Sequence, residues 1–414
     1  MKKLNHWISY TLIILSLVSC HSQQEQKQSK KPLLGVWRME MNLGEKQLPF
    51  NFTLDLISSK YEMIISNADE KIAVNDIIQK DDSLFIKLPI FESEFKLEII
   101  DSTHLVGEWI NYYKSDDYKI PVQAEYGNSY RFSQKQVDFT QDIAATYEVV
   151  FEEKSGETFP AIGILKQSGK QVSGTFATET GDYRHLAGEV IDDSIYLSTF
   201  DGSHAFLFEA AIKDSLIEGT FWSGNHYQAN WKAKRNPDAS LRNPDSLTFL
   251  KEGYDSFDFS FPDVNGNLVS FSDEKFQNQV SIIQIMGSWC PNCLDETRYL
   301  TELHEKYKQS GLQIVALAFE RTRSEAQALK NLEALKARTS ASYPFLLAAW
   351  NRETKAAEIL PMLNHVMSFP TAIFIDKKGK VRKIHTGFYG PGTGEYYNKF
   401  TSETEAFVKQ LLDE

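Results

Sequence analysis

Two cysteines separated by two residues, in Trp289-Cys290-Pro291-Asn292-Cys293, are the side chains of this 414-residue chain whose type and spacing most directly suggest chemistry. A thiolate is both a nucleophile and a metal ligand, so such a pair can cycle between dithiol and disulfide or supply half of a tetrahedral metal site. A bridge across so short a loop removes little entropy from the unfolded chain, which makes a structural staple a poor explanation for it. Pro291 suits the first turn of a helix, where its missing N–H has no partner to lose. A helix starting there leaves Cys290 at the N-terminus, where free N–H groups and the helix dipole favour its thiolate. Cys293 then lies a turn deeper, close enough to attack a mixed disulfide on Cys290. A metal site would need four ligands, and the chain holds no second cysteine pair. His304, His365 and His385 stand at no recognisable ligand spacing, so neither a metal nor a bound cofactor is expected.

The elements around this pair alternate between strand and helix. Val280 to Ile285 is a continuous apolar run, the pattern of a strand covered on both faces. Pro291 to Tyr307 reads as a helix with Leu300, Leu303 and Tyr307 on one side, and Leu312 to Phe319 as a second buried strand. Ser324 with Gln327 forms a capping box that opens a helix to about Arg338. Phe345 to Ala348 is expected as a short strand, followed by a helix from Thr354 to Leu363. Thr371 to Ile375 and Val381 to Thr386 read as strands, and Ser402 with Glu405 as the cap of a final helix. The pattern is that of an α/β domain over 254–414, preceded by a polar linker at 236–253.

Upstream the pattern changes to short alternating runs separated by polar turns, which is the signature of antiparallel hairpins. Asp81-Asp82-Ser83-Leu84-Phe85-Ile86 recurs as Asp192-Asp193-Ser194-Ile195-Tyr196-Leu197, and the Gly107, Trp109 region returns near Gly219 and Trp222. The repeat spacing of roughly 110 residues implies two β modules, 34–134 and 143–235. Trp109, Trp222 and Trp231 are expected as core or strand-face residues, and no chemistry is assigned to these modules.

The N-terminus reads as an address. Lys2 and Lys3 precede a short apolar run from Ile8 to Val18, too short for a comfortable bilayer span and suited to a signal segment over 1–20. It ends in Leu17-Val18-Ser19-Cys20, which resembles the lipobox of bacterial lipoproteins, so Cys20 is expected to be lipidated. A polar tether at 21–33 follows. This predicts a lipid-anchored protein of the bacterial envelope that faces the periplasm, with the choice of inner or outer membrane open. The chain is 42% hydrophobic and 24% charged, a soluble globular balance, and its net charge of −12 disfavours nucleic acid as a partner.

Gly287-Ser288-Trp289-Cys290-Pro291-Asn292-Cys293 with Glu296, and Ser368-Phe369-Pro370-Thr371-Ala372-Ile373-Phe374-Ile375-Asp376 downstream, resemble the TlpA/ResA-like membrane-anchored thiol–disulfide oxidoreductases. The resemblance spans about Phe257 to Leu412 and implies that the α/β domain over 254–414 has a thioredoxin-like fold. It implies that Pro370 is a cis-proline facing the cysteine pair, that Phe369 offers backbone groups to a substrate, and that Glu296 moves a proton to or from Cys293. Trp289 is expected to shield the site, and the neighbouring Asp295 to be solvated. The implied activity is reduction of disulfides in proteins or of the disulfides of small thiols, with electrons from a separate redox partner. Two alternatives stay open. One is a peroxiredoxin-like peroxidase, although Ile285-Met286-Gly287-Ser288-Trp289 lacks the Pro and Thr usual before a peroxidatic cysteine. The other is a ligand-binding β lipoprotein with an accessory thioredoxin domain.

Overall fold

The computed structural model describes residues 29–89, 91–115, 117–135 and 141–414. The expected signal segment, Cys20 and most of the tether lie outside the described residues. Nine strands form the first sheet: β1 (Gly35–Asn42), β2 (Gln47–Ile57), β3 (Lys60–Asn67), β4 (Glu70–Val74), β5 (Asp76–Lys80), β6 (Ser83–Lys87), β7 (Ser93–Asp101), β8 (His104–Asn111) and β9 (Lys119–Tyr126). Neighbours in sequence pair antiparallel, β9 returns to β1, and the sheet stays open between β4 and β5. A second set repeats the plan: β10 (Ala145–Glu153), β11 (Thr158–Ser168), β12 (Gln171–Thr178), β13 (Gly181–Asp182), β14 (Leu186–Ile191), β15 (Ser194–Phe200), β16 (Ala205–Lys213), β17 (Leu216–Ser223) and β18 (Tyr227–Arg235). Here β11 also pairs with β12 and β18 with β10, so eight strands close into an up-and-down barrel with β13 appended to β12.

The duplication is carried by details as well as by strand order. Asp81 and Asp192 open the two-residue turns of corresponding hairpins with φ of 53° and 51°, a left-handed conformation that Asp tolerates. At the third position of each first strand, Trp37 donates its indole to Leu33 O at 3.0 Å and Tyr147 its hydroxyl to Ile143 O at 2.9 Å. Gly107 and Gly219 occupy matching sites where a Cβ would run into a carbonyl oxygen of the neighbouring strand, that of Lys96 or Glu209. That register sets Trp109 against Phe221, both buried inside their sheets. Trp222 instead lies half-buried against the first barrel's core.

Inward positions of both barrels are filled by aromatic side chains, as alternation demands. In the second, Phe176 stacks on Phe208 with centroids 4.8 Å apart, beside buried Phe151, Phe221 and Trp231. The barrels also share a core: Phe200 of β15 stacks on Phe50 of β2 at 4.8 Å. Buried Arg131 ties Ser198 Oγ (2.8 Å) to Ser66 O (2.9 Å).

The C-terminal domain opens with a hairpin, β19 (Ser260–Pro262) and β20 (Leu268–Ser270), followed by β21 (Val280–Met286), α1 (Pro291–Tyr307), β22 (Leu312–Phe319), α2 (Glu325–Thr339), β23 (Phe345–Ala349), α3 (Ala356–Ile359), β24 (Thr371–Ile375), β25 (Val381–Thr386) and α4 (Glu395–Asp413). Its sheet runs β23-β22-β21-β24-β25, with β21, β22 and β23 parallel and β24 and β25 each antiparallel to the strand before it. Residues of α1, α2 and α4 pack on one face. Phe257, Phe259, Phe276, Leu360 and Leu363 cover the other, which leaves all of β21 buried.

Two expected helices differ. The one expected from Thr354 to Leu363 is a single turn, because Pro361 follows Leu360 and steers it out of the helical region, to φ −116° and ψ 68°. The final helix begins at Glu395, seven residues before Ser402. Gly394 (φ 62°) turns the chain into it, and the Ser402 hydroxyl donates to Lys399 O within the helix.

Candidate active site

Cys290 is the residue preceding α1, with extended backbone (φ −100°, ψ 112°), and Cys293 lies in the first turn. The two are disulfide-bonded with Cα atoms 5.2 Å apart. The Cys293 N–H points at Cys290 Sγ (3.1 Å), so a free thiolate there would meet a backbone donor and the positive end of a 17-residue helix. Cys293 is fully buried, whereas Cys290 is 6% exposed and is the sulfur nearer the cleft. Phe369 O lies 3.3 Å from Cys290 Sγ, and the Phe369–Pro370 peptide is cis. Trp289 donates its indole to Phe319 O (2.9 Å) and packs edge-on against Phe369, centroids 5.4 Å apart.

Behind the pair lie two buried carboxyls. Glu296, one helical turn past Cys293, accepts a hydrogen bond from Gln284 Nε2 at 2.9 Å, and the same amide reaches Cys293 O at 3.3 Å. Thr297 donates to Cys293 O at 2.7 Å, within hydrogen-bond distance of Gln284 Oε1 as well. Burial pushes the Glu296 carboxyl up to about 8, against the opposing pull of Gln284. Glu320 accepts from the Ser288 N–H (2.7 Å) and hydroxyl (2.5 Å), and burial pushes it up to about 7. Both acids can therefore exchange a proton near neutral pH. The sequence reading missed Gln284 and Glu320. A glutamine inside the apolar run of β21 was the available signal, since a buried amide needs partners.

The roof of the site comes from the β modules, to which the sequence reading assigned no chemistry. Tyr113, in the loop between β8 and β9, stacks on Trp289 with centroids 5.1 Å apart and planes 9° from parallel. Arg321 lies 3.9 Å over the same indole and donates to the Tyr113 hydroxyl. From the second barrel, Ser203 donates to Trp289 O (3.3 Å), Asp182 O accepts from Asn292 (3.4 Å), and Thr180 O accepts from Ser368 (2.6 Å). Asp295, expected to be solvated, is only 5% exposed, because the second barrel covers that side of α1. It pairs with buried Arg184, whose guanidinium also meets Glu70 of the first barrel (2.6 Å) and Asp201 of the second (3.6 Å). One cation thus joins all three domains beside the cysteines. Together these parts enclose a cleft of about 550 Å³, lined by Cys290, Trp289 and Phe369 on one side and by barrel residues including Thr180, Tyr183 and Phe206 on the other.

The structure therefore brings together Cys290, Cys293, Glu296, Trp289, Phe369 and Pro370. Residues 251–398 match the redoxin family. The thiol–disulfide oxidoreductase ResA of Geobacillus thermodenitrificans is 26% identical over 140 residues, covering 34% of this chain and 72% of that protein. ResA of Bacillus subtilis is 27% identical over 138 residues, covering 33% and 69%. A solved thiol:disulfide interchange protein of the thioredoxin family from Chlorobium tepidum aligns at 18% identity over 39% of this chain and 98% of its own, with a TM-score of 0.30. The C-terminal third of this chain is a redoxin domain, a distant homologue of the ResA/TlpA-like thiol–disulfide oxidoreductases.

Proposed function

We propose that the chain is a bacterial envelope disulfide reductase that works through Cys290 and Cys293. The observation that carries the reading is the placement of Cys290 Sγ, 3.1 Å from a helix N-terminal amide, at the floor of a cleft bounded by Phe369. In the reduced protein the Cys290 thiolate attacks a substrate disulfide, and the first substrate sulfur leaves as a thiolate that takes up a proton. Cys293 gives its proton to Glu296 and attacks Cys290 Sγ, which expels the second substrate thiol and leaves the Cys290–Cys293 disulfide. The substrate gains two electrons and two protons, and a separate redox partner returns two electrons to the pair. Trp289 and Phe369 hold the substrate, and Pro370 shapes the groove beside them. Substrates on this reading are disulfide-bearing proteins or small disulfides, and the reductive direction follows the role of the family that the motifs resemble.

The reading includes a lipid anchor at Cys20 and a periplasmic location, supported by the basic start, the short apolar run and the residues Leu17-Val18-Ser19-Cys20. Labelled palmitate carried by the full chain and lost in Cys20→Ala would support the anchor, and an unlabelled wild type would refute it.

The test of the chemistry is direct. Full chain reduced and freed of reductant is mixed with glutathione disulfide, and protein thiols and released glutathione are measured separately. Oxidation of the pair with matching thiol release is expected, with none in Cys290→Ser and a stalled mixed disulfide in Cys293→Ser. A reduced wild type that leaves the disulfide untouched would overturn the reading.

A further inference from the structure

Cys290 is reached through a cleft whose far wall belongs to the β modules, so those modules decide what arrives there. A volume of about 550 Å³ suits a small molecule or a few residues of extended chain, and not the face of a folded domain. The charges lining it are unevenly satisfied. On the far wall each carboxylate has a hydrogen-bond partner of its own: Glu179 pairs with the Arg242 guanidinium (2.5 Å), Glu153 accepts from the neutral Tyr227 hydroxyl (2.8 Å), and Asp182 accepts from the Gly390 and Arg184 backbone N–H groups (2.6 and 2.7 Å). Two cations also line the cleft, Lys114 from the β8–β9 loop and Arg321 from just past β22.

Neither forms an ion pair with a carboxylate among the described residues. Lys114 Nζ meets His226 Nε2 at 3.0 Å, and burial holds that imidazole down to about 4, so it is neutral at pH 7. Arg321 bonds the Tyr113 hydroxyl and lies over Trp289. Burial, then the nearby Arg321 and Arg352, holds the Lys114 ammonium below the usual lysine range. Arg352 itself has Glu92 close by, whereas the two cleft-lining cations are left facing the substrate space. An arriving carboxylate would relieve their mutual repulsion in a partly desolvated site, where charge pairing is stronger than in water.

We propose that the cleft is a substrate site for small or peptidic disulfides carrying a carboxylate near the sulfur, recognised by Lys114 and Arg321, which line it together with Cys290. This rests on the oxidoreductase reading above and adds the substrate class and the domain that selects it.

The test compares three small disulfides of similar size: dithiodipropionate (anionic), hydroxyethyl disulfide (neutral) and cystamine (cationic). Reduced full chain is mixed with each, and rates of oxidation of the cysteine pair are divided by the rate of each disulfide with free dithiothreitol, which removes differences in leaving group. The expected result is a normalised preference for the anion over the cation of about tenfold or more at low salt, shrinking as salt rises. Lys114→Glu is expected to lower that ratio at least about tenfold, and Lys114→Arg to retain it. Normalised anion and cation rates agreeing within about twofold in the wild type would overturn the proposal. So would a ratio unchanged in a folded Lys114→Glu. Absence of exchange with all three disulfides would overturn the oxidoreductase reading itself, and this one with it.

Discussion

Gln284 donates its amide to Glu296 at 2.9 Å, while the other carboxyl oxygen of Glu296 meets no hydrogen-bond partner among the described residues. A buried carboxyl with one donor is poorly compensated for charge, which is why it protonates near 8 rather than in the usual carboxylate range. On the proposed mechanism it serves the Cys293 thiol, one turn away in the same helix, as acid and base. Glu296→Gln keeps the shape and removes the proton exchange. It is expected to slow resolution of the mixed disulfide by about a hundredfold with little effect on the initial attack by Cys290. Rapid-quench trapping of the mixed disulfide separates the two steps, and equal slowing of both would contradict the assignment.

The same group sets a pH dependence of stability. Its folded value of about 8 lies above the ordinary 4.5, so the native state holds a proton that the unfolded state has lost between those limits. Stability should therefore fall as pH rises from about 4.5 towards 8, by up to about 1.4 kcal/mol per pH unit from this residue. Glu320, at about 7, acts in the same direction over a narrower window. Urea midpoints of the oxidised protein across this range should flatten in Glu296→Gln. An unchanged slope would contradict the burial of an uncompensated acid.

What the sequence made legible was local. Pro291 just inside a helix start, Ser324 with Gln327, and the apolar runs that became β21, β22 and β24 each encode their element in adjacent residues. The Asp-Asp-Ser turns carried the β duplication in the same way. What stayed hidden was the meeting of domains. Tyr113, Lys114, Asp182, Arg184 and Ser203 carry no local pattern, and they reach the site across separations such as the 111 residues between Arg184 and Asp295. Asp295 was misread for a related reason: helical periodicity shows which side faces away from its own domain's core, not whether another domain covers that side.

Arg184 should be the costliest single charge to remove. Arg184→Met leaves Glu70, Asp201 and Asp295 without their shared cation, and a loss of about 3–5 kcal/mol is expected from breaking a buried pair in this way. Adding Asp295→Asn should recover part of it, since one stranded charge is then gone. Urea unfolding of Arg184→Met, Asp295→Asn and the double variant checks this, and strictly additive losses would contradict the coupling.

Tyr113 forms part of the roof over Trp289, so Tyr113→Ala should open the cleft without touching the cysteines. Alkylation of Cys290 by iodoacetamide in the reduced protein is expected to speed up by about three- to tenfold, a cost of closure near 1 kcal/mol. An unchanged rate would mean that the first barrel does not govern access.

The central claim is that Cys290 and Cys293 form a reversible, reducing couple. The direct measurement is equilibration of the full chain in dithiothreitol or glutathione redox buffers, with the dithiol fraction read by mass after alkylation. A single two-electron transition is expected, with a midpoint near thioredoxin's, about −270 mV. A midpoint near that of the oxidant DsbA, about −120 mV, would contradict the reductive direction, and no reversible transition would contradict the account altogether.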